Sequence, residues 1–373
     1  MSRRPHIVIS LGDPCGIGPE LLLGSLQAIR PWADVTVVGC KAGVDLLEGL
    51  PGANVAWRWM EPQDRPSPAF SGRTYGLQVT SLGGDPNPVM GEALWLDPTP
   101  EISAEHLELG AGSATSGRAT VEAIRIAALM AMRGEAEALV TLPMAKSAAH
   151  LAGYDIPGHT EFLRDLSGAS ATRMAFVSPR LNVVLHTVHQ SLRSVVETLD
   201  TDSVAETLAF STDRFIQLTG EFELRVALCA LNPHAGEQGA FGAEERLLED
   251  AILRAEAAFA DSGVASGPRP APRFFGPLPS DSVFQRASRG EFDLVVALYH
   301  DQGLIPVKLL EPDRAVNLTL GLPFIRTSPD HGTAFDKAGK WIAHTQNFLE
   351  AVALAVRLAR RGPEGALPLK PEA

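Results

Sequence analysis

The chain has 373 residues, is 45% hydrophobic and 20% charged, and carries a formal net charge of −12. Such a length suits two domains or one large one with an ample core, and this balance excludes a mostly disordered protein. No apolar run reaches the roughly 18 residues of a membrane span, and no Lys/Arg-rich run offers a phosphate-tracking patch. Neither a membrane nor a nucleic acid is therefore an expected partner.

The opening MSRRPHIVISLGDP reads as a folded first strand that runs into a turn, not as a signal peptide. Three cysteines, Cys15, Cys40 and Cys229, stand in no metal-like spacing and suit the cytoplasm. Only six of the 32 basic residues are lysine, so a lysine inside a motif is less readily filler.

In chain order, the pattern predicts a strand at 6–11, a helix at 19–29 and a strand at 34–39. Residues 62–101, rich in Pro, Gly and Ser, read as an irregular excursion. A helix at 116–133 and strands at 138–142, 173–177 and 181–186 follow. Next come a helix at 203–218, a strand at 224–231 and a helix at 243–259. Residues 263–273 read as a linker or surface loop, 292–298 as a strand, 345–360 as a helix and the end as a loose tail. Alternation of this kind implies an α/β protein with largely parallel sheets.

Several segments carry chemistry. GDPCGIGPE (12–20) joins the first strand to the first helix; its glycines fit close approach to a ligand, or equally a tight turn without one. GHTEFL (158–163) sets His159 and Thr160 at a helix start, as ligand contacts or as a cap and a solvated loop residue. His189, His234 and His300 each lie just past a predicted strand, where open parallel sheets place their ligands. Neutral imidazoles converging there make a common divalent-metal site. His186 points to the other face of its strand from His189 and is expected to pack.

The loop 232–245 looks shaped to present His234, with Glu244 and Glu245 favouring the helix dipole. In YHDQGLIPVK (299–308), Lys308 lies among apolar residues, either snorkelling or in a site, and the scarcity of lysine favours the site. Asp281 is a carboxylate near the metal or, more simply, a helix N-cap. Arg326, between Phe-Ile and Thr-Ser, suits bidentate capture of phosphate or carboxylate, with Asn317 nearby in sequence. HGTAFDKAGK (331–340) wraps a nucleotide or only joins a strand to a helix.

These segments, together with TLPMAKSAAHLAG (141–153), LNPHAGEQGAFGAEE (231–245) and LGLPFIRTSPDHGTAFDKAGK (320–340), resemble in this order the 4-hydroxythreonine-4-phosphate dehydrogenases of pyridoxal phosphate biosynthesis. The resemblance spans 6–348. The loop 331–340 and the Gly-rich opening also resemble isopropylmalate and isocitrate dehydrogenases, which share that two-domain fold. It implies a domain of 1–140 plus 295–373 on the nucleotide side and one of 141–294 on the metal and dimer side. It further implies a homodimer with the active site in a cleft between domains, completed by the partner chain.

His189, His234 and His300 match the family's ligands for one divalent metal (Zn, Mg or Co). His159, Thr160, Lys308, Asn317 and Arg326 match its contacts to a phosphorylated small molecule. NAD or NADP is implied without a Rossmann fingerprint, with Gly332, Asp336 and Lys340 as its expected contacts. Lys308 or Asp281 is the candidate for proton transfer. The chain departs from the family at Cys15, at Lys337 and through 57–107 and 263–273, so nothing is carried over in those stretches.

The implied activity is oxidation and decarboxylation of 4-phosphooxy-L-threonine. Sister activities on erythronate or threonate 4-phosphate, or on terephthalate cis-dihydrodiol, share the motifs. A non-catalytic ligand-binding module is the rival of another class.

Overall fold

The computed structural model of the chain describes residues 3–61, 72–82, 90–261 and 271–361. They form two compact units, one from 1–171 with 322–360, the other from 172–321. In the first, the sheet runs Ile325–Pro329, Ala138–Thr141, His6–Ser10, Asp34–Val38, Gly91–Asp97, Arg73–Ser81, Val55–Met60. Its first five strands are parallel and the last two antiparallel. The parallel strands are short runs such as Ala138–Thr141, buried at every residue because helices cover both faces. Helix Ala114–Met132 packs on three of these strands, and its start is fixed by Ser113, whose hydroxyl accepts from the Ser116 N–H at 3.1 Å.

The second unit repeats the scheme. Strands Arg273–Leu278, Arg225–Cys229, Leu294–Ala297 and Asn182–Leu185 are parallel neighbours. Arg173–Val177 and Val316–Leu320 extend that sheet antiparallel. Its core gathers Phe176, Val183, Leu185, Val295 and Val307. Helices Thr201–Thr219 and Glu245–Asp261 pack on each other.

The expected α/β class with mainly parallel sheets is what the chain adopts. The boundaries differ from the expected 140/141 and 294/295. Strand Ala138–Thr141 is hydrogen-bonded to His6–Ser10, and Leu294–Ala297 to Asn182–Leu185 and Arg225–Cys229, so pairing sets each strand's unit. The stretch 62–101 is not wholly irregular: it contains strands Arg73–Ser81 and Gly91–Asp97, which pair through Tyr75 and Trp95. Within it, 62–71 and 83–89 lie outside the described residues, as do 263–270 of the expected linker and the tail. Arg273 is no linker residue but begins a strand. No described helix is long and apolar enough to cross a membrane.

Candidate active site

In the first unit, three chain segments meet at the carboxyl ends of parallel strands. Gly12 has φ +74°, and a Cβ there would lie 2.3 Å from the Pro143 carbonyl oxygen. A Cβ on Gly16 would come within 2.9 Å of the Thr333 oxygen. The glycines of 12–18 thus serve close approach of protein backbone. Between them Asp13 is buried, and burial raises its pKa to about 6 although Cys15 N–H and Ser116 Oγ donate to it.

Arg326 lies on Ile325–Pro329 and is only 3% exposed. Its Nε and Nη2 donate to Thr141 Oγ1 at 3.1 and 2.6 Å. Burial lowers its pKa to about 10, an effect Glu161 opposes, so the guanidinium is still charged at neutral pH. His159 and Thr160 open helix His159–Ser167, whose N-cap is Gly158. Thr160 is therefore not the cap. The His159 Nε2 is buried without a hydrogen-bond partner. Burial first, then Arg326 and Lys146, push its pKa well below the usual 6.5, so the ring is neutral. Lys146 itself is exposed, at the start of Lys146–Leu151. A buried cation close enough to depress the charge of a neutral imidazole suits an anionic group with a nearby hydroxyl or amine.

The loop after Ile325–Pro329 carries Gly332, with open space around its Cα, Asp336 in the turn Phe335–Lys337, and Lys340. All three are exposed, as is Lys337.

In the second unit, the rings of His189 and His300 stand 5.7 Å apart. His300 opens helix His300–Leu310, and its Nδ1 is bonded to Asp301 Oδ1 at 2.7 Å, which leaves Nε2 to face a ligand. The two imidazoles border a cavity of about 410 Å³ with Ser191, Val195 and Tyr299. Such a donor pair fits two ligands of a divalent ion. His234 is exposed on Pro233–Gly239, where it, Ala235, Glu237 and Gln238 all hold positive φ, and its ring faces Phe241 at 6.3 Å. Among the described residues no three His, Cys, Asp or Glu side chains assemble as a metal-holding group, so the structure brings together His189 and His300 but not His234.

Glu244 and Glu245 do more than favour a dipole: Asn232 Nδ2 donates to Glu244 Oε2 at 2.8 Å and Glu245 Oε2 at 3.0 Å, which clamps the loop. Asn317 leaves its Oδ1 buried without a partner, as a binding residue would. Lys308 is exposed eight residues into the helix that His300 begins, roughly 12 Å of helix rise away. Asp281 is exposed in the first turn of Ser280–Ser288, where Pro279, not Asp281, is the N-cap. His186 packs as expected, its Nδ1 on Thr207 Oγ1 at 2.8 Å.

The sequence reading misses Thr141, which orients Arg326, and Gln302. Buried Gln302 accepts from Leu298 N–H at 2.6 Å and donates to the Ala230 carbonyl and Ser280 Oγ at 2.8 and 2.9 Å, tying His300's helix to two strand ends. Its one signal was an amide directly after His300 and Asp301.

The chain matches the model of the pyridoxal phosphate biosynthetic protein PdxA over residues 83–355. It belongs to the PdxA family. It is 37% identical to the 4-hydroxythreonine-4-phosphate dehydrogenase of Geobacter metallireducens, over 98% of this chain and 99% of that one. It is also 37% identical to the D-threonate 4-phosphate dehydrogenase of Salmonella typhimurium, over 95% and 98%. The crystal structure of the 4-hydroxythreonine-4-phosphate dehydrogenase from Klebsiella pneumoniae superposes with a TM-score of 0.76 at 34% identity, over 95% and 99%. Membership of the PdxA family makes the chain an enzyme of the dehydrogenase class and disposes of the non-catalytic rival.

Proposed function

We propose that this chain oxidises 4-phosphooxy-L-threonine at its secondary alcohol with NAD or NADP, and that the β-keto acid formed loses CO₂ to give 3-amino-2-oxopropyl phosphate. The observation that carries this reading is Arg326, a charged guanidinium buried on strand Ile325–Pro329 within electrostatic reach of a neutral His159 in a PdxA-family dehydrogenase. When bound, the nucleotide accepts the hydride and a divalent ion (Zn, Mg or Co) polarises the alcohol oxygen.

The chain's own residues do the rest. Arg326 holds an anionic group of the substrate through its buried guanidinium, and Thr160 and Asn317 bond its polar groups. Neutral His159 offers a hydrogen bond without adding charge. His189, His300 and His234 supply the imidazoles for the ion, and Asp301 fixes which nitrogen of His300 is presented. Gly332, Asp336 and Lys340 border the nucleotide, and Lys308 or Asp281 moves the protons. The enzyme works as a cytoplasmic homodimer whose partner chain completes the site. Exposed Leu192, Val196, Ile305 and Leu309 give such an assembly apolar surface to cover, and three buried free cysteines suit a reducing compartment.

A second reading, action on D-threonate 4-phosphate, is favoured by the equal 37% identity to an enzyme of that name. One experiment separates the two: growth of the reduced-nicotinamide absorbance with NAD⁺ or NADP⁺ and a panel of both substrates, erythronate 4-phosphate and terephthalate cis-dihydrodiol, with and without chelator. The first reading expects the highest kcat/KM on 4-phosphooxy-L-threonine and loss of turnover on chelation. Preference for a threonate or erythronate phosphate moves the chain to the sister activity, and indifference to chelator removes the metal.

A further inference from the structure

Glu20 has no role in the chemistry above, yet it sits in an unusual place. It lies in the first turn of helix Gly18–Ile29 and is only 3% exposed. Its Oε2 accepts from the Gly339 and Trp341 backbone N–H groups at 3.1 and 3.2 Å. These flank Lys340, whose own N–H is taken by the Lys337 carbonyl. Its Oε1 is buried without a partner, so the carboxylate is incompletely satisfied. That is a poor choice for a side chain that only fills space.

The backbone it holds is equally particular. Gly339 has φ +75° and Trp341 φ +54°, and a bulky residue in the left-handed region persists only where its surroundings impose it. The other end of the loop is fastened to the same turn, for Ile17 N–H donates to the Thr333 carbonyl at 3.0 Å.

We propose that Glu20 is a positioning residue that latches the loop 332–341 through the Gly339 and Trp341 amides and so presets the backbone around Lys340 for the dinucleotide. This rests on the reading of that loop as the nucleotide's. Glu20 touches no substrate; it acts through the loop, so its loss raises nucleotide KM and leaves kcat nearly alone.

The test compares wild type with Glu20→Gln, which keeps size but loses charge, and Glu20→Asp, which keeps charge but falls a methylene short. Amide hydrogen exchange of 332–341 in the nucleotide-free protein reads the latch directly, and both variants are expected to exchange at least about tenfold faster there. Both are also expected to raise KM for NAD⁺ or NADP⁺ about tenfold, with kcat and phosphorylated-substrate KM within about threefold. Unchanged exchange, or faster exchange with unchanged dinucleotide KM, overturns the proposal. A wild type that binds neither dinucleotide overturns the nucleotide reading instead, and that shows without any variant. Should the Glu20 variants not fold, Gly16→Ala presses on Thr333 from the loop's other end and is expected to give the same split between KM and kcat.

Discussion

The two units hold site residues of opposite character. In the first, Arg326 is buried, bonded twice to Thr141, and set beside a His159 whose charge burial suppresses. In the second, His189 is exposed and His300 partly so, while His234 stands apart on a loop of left-handed residues. The difference fits what each is proposed to bind. A guanidinium can be stripped of water only if its neighbours are already in place, so that part is finished when the chain folds. On the proposed roles, imidazoles cost little to leave in solvent, and a bound divalent ion would supply the energy that gathers them.

Mutations can break this contrast. The largest effect is expected for His300→Ala, with turnover down about 1,000-fold, since the Lewis acid is worth several kcal/mol. Its thermal melt should nearly match that of chelated wild type, because the ring's bond to exposed Asp301 adds little stability. Arg326→Lys should behave differently. Its kcat/KM is expected to fall about 100-fold, and calorimetry should also show a lower melting temperature, as one ammonium cannot replace the fork on Thr141. Equal stability losses in both variants would erase the distinction.

His186 sharpens it from within the second unit. Burial, with Arg173 beside it, lowers its pKa from 6.5 to about 4. Between those values the unfolded chain holds a proton that the folded chain lacks. The stability difference is therefore absent above pH 6.5 and grows as pH falls towards 4. Urea melts of wild type should lose roughly 2 kcal/mol over that range relative to His186→Asn, after allowance for partial exposure. The smallest effect belongs to Thr141→Val, about 1 kcal/mol in the same melts, with kcat/KM down several-fold as Arg326 loses its orienting oxygen.

What could be read from the residues divides along similar lines. Strands with continuous apolar runs, such as 6–10 and 138–141, were legible because burial on both faces leaves no alternation to misread. Ile325–Pro329 was not, since Arg326, Thr327 and Ser328 are polar yet buried; Thr327 Oγ1 gives its hydrogen to the Ala351 carbonyl, a partner no local pattern reveals. Helix His300–Leu310 was hidden by Gly303 and Pro306, although a Cβ at Gly303 would meet Leu185 at 2.7 Å, which explains the glycine. Histidines past strand ends stood out in the sequence. That His189 meets His300 while His234 faces Phe241 depends on the backbone of 233–239, where non-glycine residues take a conformation their side chains disfavour.

Arg326 has a consequence for ionic strength. Dissolved salt screens charges in contact with solvent and barely reaches one enclosed by protein. A phosphorylated substrate approaching a chain of net charge −12 is repelled at long range and captured only at contact. Added salt should therefore hasten association by shielding the outer surface while leaving the proposed grip of Arg326 intact, the reverse of what a steered, basic binding face would show.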